Sequence, residues 1–164
     1  MMRFAAVALS LLAFVCPVVC GADTPAFVSA RPVWPAGSAE EMNGFVRFAT
    51  EFDWTDGSCP VLRIAGSSVY RIRLNGEFLG YGPARAAKGW FRVDEWALSA
   101  ARPGRNRIEI EVSAYNCRNF YIPKWPGFLQ AEVVVGNTVL AATPSDFKAF
   151  DTGRVQTVSR YSFQ

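Results

Sequence analysis

The chain has 164 residues, a one-domain length; 51% are hydrophobic, 19% charged and 14% aromatic, with five Trp. These proportions suit a chain that folds around a core, and the aromatic richness suits strands and surfaces that stack on sugar rings. A net charge of +3 without any Lys/Arg cluster excludes the electrostatic footprint of a nucleic-acid binder.

The first residues read as an export signal. Met1-Met2-Arg3 is a short basic region, Phe4 to Val19 is apolar, and Cys20-Gly21-Ala22 offers small residues for cleavage before Asp23. The apolar run is shorter than the roughly 20 residues that a transmembrane helix needs. Lipidation of Cys16 or Cys20 is disfavoured, because Val15 and Val19 occupy the preceding position where a small residue is usual. Residues 1–22 are therefore expected to be a signal peptide, and the mature chain to be secreted or periplasmic, with no membrane attachment after cleavage. Cleavage leaves Cys59 and Cys117, which could pair in an oxidising compartment or pack as two buried thiols.

Residues 23–42 are rich in Pro and Ala and lack periodicity, so they are expected to form an extended lead-in to a domain over 43–164. Alternation then begins. In Phe45–Phe52, Val46, Phe48 and Phe52 fall on one face, and Arg47 and Glu51 on the other. Val61–Ala65 is a short apolar strand after a Gly57-Ser58-Cys59-Pro60 turn. Tyr70, Ile72 and Leu74 alternate with Arg71 and Arg73, and Asn75-Gly76 leads into a returning strand, Glu77–Tyr81. Asn-Gly between alternating runs is the strongest short hairpin signal, because both turn positions need positive φ.

A loop over Gly82–Gly89 leads to a strand expected at Trp90–Val93. After the turn at 101–106, Arg107–Ser113 places Ile108, Ile110 and Val112 inward and Glu109 and Glu111 outward. An aromatic-rich loop, Tyr115 to Phe128, precedes a hairpin of Leu129–Val135 and Thr138–Ala142, and Phe147–Phe150 closes the series. Only Ser38–Asn43 and Glu95–Ala101 could hold a helical turn. Seven to nine short strands with turns between them predict an all-β, antiparallel β-sandwich or barrel.

The chemistry is sparse. The chain has no His, which removes Ser-His-Asp and Cys-His catalysis and every His-containing zinc site. Two mature cysteines cannot build a Cys₄ site, so no metal and no cofactor is expected. Gly80-Tyr81-Gly82 begins like a dinucleotide fingerprint, but Arg85 stands where the last glycine belongs and no helix follows. Asp94-Glu95 is the obvious carboxylate pair, yet neighbours in a strand point to opposite faces and could not flank one glycosidic bond. Asp53 and Asp56 sit in a turn, where Asp bonds local backbone. Arg71, Arg73, Glu109 and Glu111 read as a solvated face with cross-strand pairs. Trp96 is expected to plug an end of the sandwich. Trp125 stands on a loop where a large ring is harder to bury, and Trp90 follows Lys88-Gly89 at a strand start; for both, core packing stands against a binding or docking role.

The run Tyr70-Arg71-Ile72-Arg73-Leu74-Asn75-Gly76-Glu77-Phe78-Leu79-Gly80-Tyr81-Gly82-Pro83-Ala84-Arg85 resembles a segment of bacterial α-L-rhamnosidases of glycoside hydrolase family 78. The likeness continues through Gly89-Trp90-Phe91-Arg92-Val93-Asp94-Glu95-Trp96 and Arg102-Pro103-Gly104-Arg105-Asn106-Arg107-Ile108. It resumes at Tyr115-Asn116-Cys117-Arg118-Asn119-Phe120-Tyr121, Phe128-Leu129-Gln130-Ala131-Glu132 and Arg160-Tyr161-Ser162-Phe163-Gln164. The stretches Gly82-Pro83-Ala84-Arg85 and Asp94-Glu95-Trp96 are its most specific parts. The strand–Asn-Gly–strand part is shared with many galactose-binding-like jelly rolls.

That resemblance implies a jelly-roll sandwich of the kind that precedes an (α/α)₆ catalytic barrel. The family's acidic catalytic residues lie in the barrel, so none transfers here, and the chain by itself is not expected to be an enzyme. Gln164 falls where such proteins continue into further domains, which implies a sandwich cut before its catalytic domain. The implied role is a carbohydrate-binding or scaffolding accessory domain in carbohydrate degradation. Its expected partners are a plant or bacterial polysaccharide or glycoside and an (α/α)₆ domain. A relic, or a protein-interaction sandwich without sugar affinity, is the alternative. The expected carbohydrate-binding or docking surface comprises Arg85, Lys88 and Trp90 on one loop and Tyr121, Trp125 and Phe128 on the other.

Overall fold

The structure is a computed structural model that describes residues 27–154 other than 56, 85, 88 and 118–123. The expected signal peptide, Arg85, Lys88, Tyr121 and the Arg160–Gln164 motif lie outside the described residues. Strands β1 (Gly44–Trp54), β2 (Val61–Ser67), β3 (Val69–Leu74), β4 (Glu77–Gly82), β5 (Asp94–Ala97), β6 (Gly104–Ala114), β7 (Phe128–Val135), β8 (Thr138–Ala142) and β9 (Lys148–Asp151) follow one another. No helix occurs among the described residues. One sheet runs β4-β3-β6-β1-β9 and the other β5-β2-β7-β8, with every pairing antiparallel. The protein is an antiparallel β-sandwich of the jelly-roll kind.

Alternation sets the register. Along β6, Asn106, Ile108, Ile110, Val112 and Ala114 are buried, while the residues between them reach the other face. A slip of one position would move the entire apolar set into water. Val46, Phe48, Phe52, Tyr70, Ile72, Leu74, Ile108, Ile110 and Val112 meet Leu62, Ile64, Leu129, Ala131 and Val133 from the opposite sheet in one core. Arg71 and Arg73 are exposed, as the alternation requires. The β3–β4 hairpin turns at Asn75 (φ 51°) and Gly76 (φ 88°), the paired positive values of a tight Asn-Gly turn.

Two details differ from expectation. Trp90–Val93 is loop, and the strand begins at Asp94, because β5 pairs with β2 only from Ile64↔Asp94 to Val61↔Ala97. Glu95–Ala101 holds no helical turn; it continues β5 and then bends where the Leu98 amide bonds to the Pro60 carbonyl. Cys59 precedes β2 and Cys117 follows β6, at opposite ends of the sandwich, and no disulfide joins them.

The lead-in chain is fastened across the outside of the four-stranded sheet. Glu132 points away from the core, yet it is fully buried, because residues 28–30 lie over it. Its carboxylate accepts the amides of Val28, Ser29 and Ala30 at 2.9–3.1 Å, and the Arg63 guanidinium stands 3.6 Å away. Gln130 donates to the Ala30 carbonyl, Thr143 to that of Arg31, and Val33 bridges to Leu129. Side chains and a few isolated backbone bonds, Arg31 to Thr143 and Val33 to Leu129, hold this segment, so it needs no periodic pattern of its own.

Candidate functional site

The pairings bring several connections to one end of the sandwich. Ser67 lies opposite Phe128, Tyr70 opposite Gly82, and Gly44 opposite Ala114. The chain leaving β4 at Gly82, the chain leaving β6 at Ala114, the approach to β7 at Phe128 and the approach to β1 at Gly44 therefore gather at that end.

Two Trp residues are built into its floor. Trp34 packs 5.9 Å from the Phe48 ring and lies against Gly127, where a Cβ would come within 2.6 Å of the indole. Trp96 lies against Gly80 in the same way, so it fills the sandwich as expected. Gly82 leaves room for the Tyr70 hydroxyl. The Gly-Tyr-Gly run is thus a space-making device for two rings, with no nucleotide role.

The carboxylates near this end are structural. Tyr70 donates its hydroxyl to Asp94, and Arg92 Nε donates to the other carboxylate oxygen at 2.6 Å. Trp96 Nε1 donates to the Tyr70 oxygen at 3.3 Å. Burial, and then the bond to Asp94, push the Tyr70 hydroxyl far above its ordinary value, so it stays a neutral donor. Glu95 points to the opposite side and pairs with Arg63 at 2.9 Å. The two carboxylates do not face a common space. Asp94 ties β3 to β5 across the two sheets. Among the described residues no group of three or more His, Cys, Asp or Glu could hold a metal ion.

Above this floor sits an aromatic cluster. Phe91 meets Trp125 edge-on at 5.2 Å and Phe128 at 4.6 Å. Trp125 and Phe128 are joined through Phe91, which lies in the segment expected as a strand and is not among the residues expected at this surface. Adjacent Trp90 and Phe91 after Gly89, in a segment too short for alternation to be tested, are the signal the sequence offers. Trp90 projects beside the cluster in the chain and is 75% exposed, while Phe91 is 41% exposed. Trp125 and Phe128 are half-buried.

Fold and loop end together define a jelly-roll sandwich with an aromatic-topped end. No protein-family model and no curated protein matches the chain. Its structure is similar to a family 78 rhamnosidase of Bacillus sp. GL1, at 28% identity and a TM-score of 0.70. The match covers 74% of this chain and 13% of that one. An α-L-rhamnosidase of Streptomyces avermitilis matches at 16% identity and a TM-score of 0.56, over 77% of this chain and 12% of its own. Pleurotus ostreatus lectin matches at 16% identity and a TM-score of 0.53, over 75% and 35%. The last two share the fold. The rhamnosidase likeness carried by the motifs is therefore met by the structure, and the chain corresponds to a small β-sandwich part of those enzymes.

Proposed function

We propose that the protein is an exported, non-catalytic accessory domain that binds carbohydrate through the loop end of its sandwich. It would serve carbohydrate breakdown when joined to a rhamnosidase-like catalytic domain. The observation that carries this reading is the exposed Trp90 next in the chain to Phe91, whose ring packs on Trp125 and Phe128. An indole open to water beside packed aromatic rings suits the apolar face of a sugar ring, and the packing of Phe91 on Trp125 and Phe128 limits the ordering cost at that ring. The likeness to the Bacillus rhamnosidase supports the association with glycoside chemistry.

Affinity electrophoresis of the mature chain in gels containing plant and bacterial polysaccharides tests this. Retardation should occur with at least one polymer and be lost in Trp90→Ala at unchanged melting temperature. Absence of retardation with all polymers overturns the reading.

A docking role has its own support, since a cluster of Phe91, Trp125 and Phe128 has the composition of an interface core. In that case the isolated chain should self-associate, and polar replacements at Trp125 and Phe128 should relieve this in light scattering. A large fall in melting temperature with unchanged association would instead mark these rings as a cap on the core.

A further inference from the structure

The outer face of the five-stranded sheet carries rows of side chains that the core does not need. Cross-strand pairing sets Tyr81, Arg71, Glu111, Arg47 and Phe150 side by side across all five strands. The next row reads Phe78, Arg73, Glu109, Ala49 and Lys148. The aromatic ends of these rows are open to water: Tyr81 is 76% exposed, Phe78 56% and Phe150 39%. Arg47 lies over the Phe150 ring at 5.7 Å. At the end nearest the loops the face sinks into a cleft of about 490 Å³, lined by Phe45, Arg71, Glu111, Ser113, Tyr115 and Arg154.

The charges do not cancel in place. Glu111 faces Arg71 in register, but its ion pair is with Arg154 at 3.7 Å; Glu109 faces Arg73 but pairs with Arg107 at 3.0 Å. Among the described residues no carboxylate lies within ion-pair distance of Arg47, Arg71, Arg73 or Lys148. A face kept only for solubility needs neither open rings nor unmatched guanidinium groups around a cleft.

We propose that this face, centred on the cleft, binds an acidic saccharide chain, one whose sugar rings carry carboxylates. Arg71 supplies the fork-shaped donor set that matches a carboxylate. Glu111 and the hydroxyls of Ser113 and Tyr115 can exchange hydrogen bonds with ring hydroxyls. Phe45 and Tyr81 offer flat faces to the rings themselves. A phosphate backbone fits less well, because Glu111 stands between Arg71 and Arg47, and Glu109 beside Arg73, and both would repel a continuous run of negative charge. The inference rests on the carbohydrate-binding reading but uses a different surface from the Trp90 loop, so the two can fail separately.

The test compares binding of the full mature chain to polygalacturonate, a plain polyuronate, and to the same polymer methyl-esterified, which keeps the backbone and removes the charge. The acid form should bind more tightly, and added salt should weaken it. Arg71→Gln, a change at an exposed position, should weaken binding of the acid form about tenfold and leave the ester unaffected. Tyr81→Ser should weaken both, and Trp90→Ala should lower both by a common factor. Equal binding of acid and ester, or an Arg71→Gln variant indistinguishable from the parent, overturns this inference and leaves the carbohydrate reading standing. Binding to no polysaccharide overturns both. Single-stranded DNA bound as tightly as the polyuronate would also overturn it, in favour of general anion capture. An acid preference that survives with Trp90→Ala silent would keep this face and discard the loop end as the sugar site.

Discussion

Glu132 offers the sharpest test of how the lead-in chain is held. Its carboxylate accepts three backbone amides and faces Arg63, all beneath residues 28–30. Removing one partner of a buried ion pair costs about 3–5 kcal/mol when nothing can relax. Here something can: Val28 and Ser29 are exposed, so their amides can take water if the segment lifts. Undocking limits the loss, and Glu132→Ala should cost about 2–4 kcal/mol, which is roughly 6–12 °C in melting temperature for a domain of this size. Glu132→Gln should cost about half as much, since it keeps one acceptor oxygen but turns an NH₂ group toward donors. Thermal melts give the magnitude, and amide exchange at residues 28–30 shows where it acts. A fall of less than about 2 °C with those amides still protected would refute the clamp.

Two further outcomes follow from the loop end and its carboxylates. The folded state holds the Tyr70 proton well above 10.0, the ordinary tyrosine value, whereas the unfolded chain releases it near there. The stabilisation is therefore complete below about pH 10 and declines as pH rises past it, so melts taken at about pH 8 and 11 should diverge for the parent. They should diverge less for Tyr70→Phe, and parallel losses in both proteins would disprove the account. The mature chain should not hydrolyse aryl rhamnosides, because Asp94 and Glu95 point to opposite sides and serve Tyr70 and Arg63. Turnover abolished by Asp94→Ala or Glu95→Ala would contradict this.

What could be read from the sequence was whatever one-sided burial writes into it. β1, β3 and β6 bury one face and expose a charged one, so Val46, Phe48, Ile72, Ile108 and Ile110 announced both strand and core. β7 was legible as a strand, but its second covered face was not. Glu132 is buried on the outer side because the lead-in chain crosses it, and that chain is held by side chains and isolated backbone bonds instead of a ladder. The aromatic cluster at the loop end was legible in part. Trp125 and Phe128 stand out by loop position, whereas Phe91 lies in a four-residue segment, too short to separate a strand from a loop.

The five-stranded face shows a similar partial reading. Its charges were visible as alternation, but only the register reveals that Arg71 and Glu111 are neighbours whose ion pairs lie elsewhere.

The glycines separate the aromatics that build the fold from those left to act. A Trp inside the sandwich needs a missing Cβ opposite it, and Trp34 and Trp96 have theirs in Gly127 and Gly80. Gly89 plays the contrary part: it has φ +89° and open space around it, and it delivers the neighbouring Trp90 outward. Alanine at the two kinds of site should therefore do different things. Gly127→Ala forces its methyl toward the Trp34 ring and Ala114, displaces the plug, and should cost about 1–3 kcal/mol in stability. Gly89→Ala meets no atom, and its cost is the left-handed backbone alone, about 1–2 kcal/mol if the turn is kept. A loop with little packed against it can relax instead, so its melting temperature should change least while the orientation of Trp90 changes most. Trp fluorescence and thermal melts of the two variants read these effects separately. If Gly89→Ala proves the more destabilising, Trp90 is part of the structural frame, and the loop end loses its claim as a binding surface.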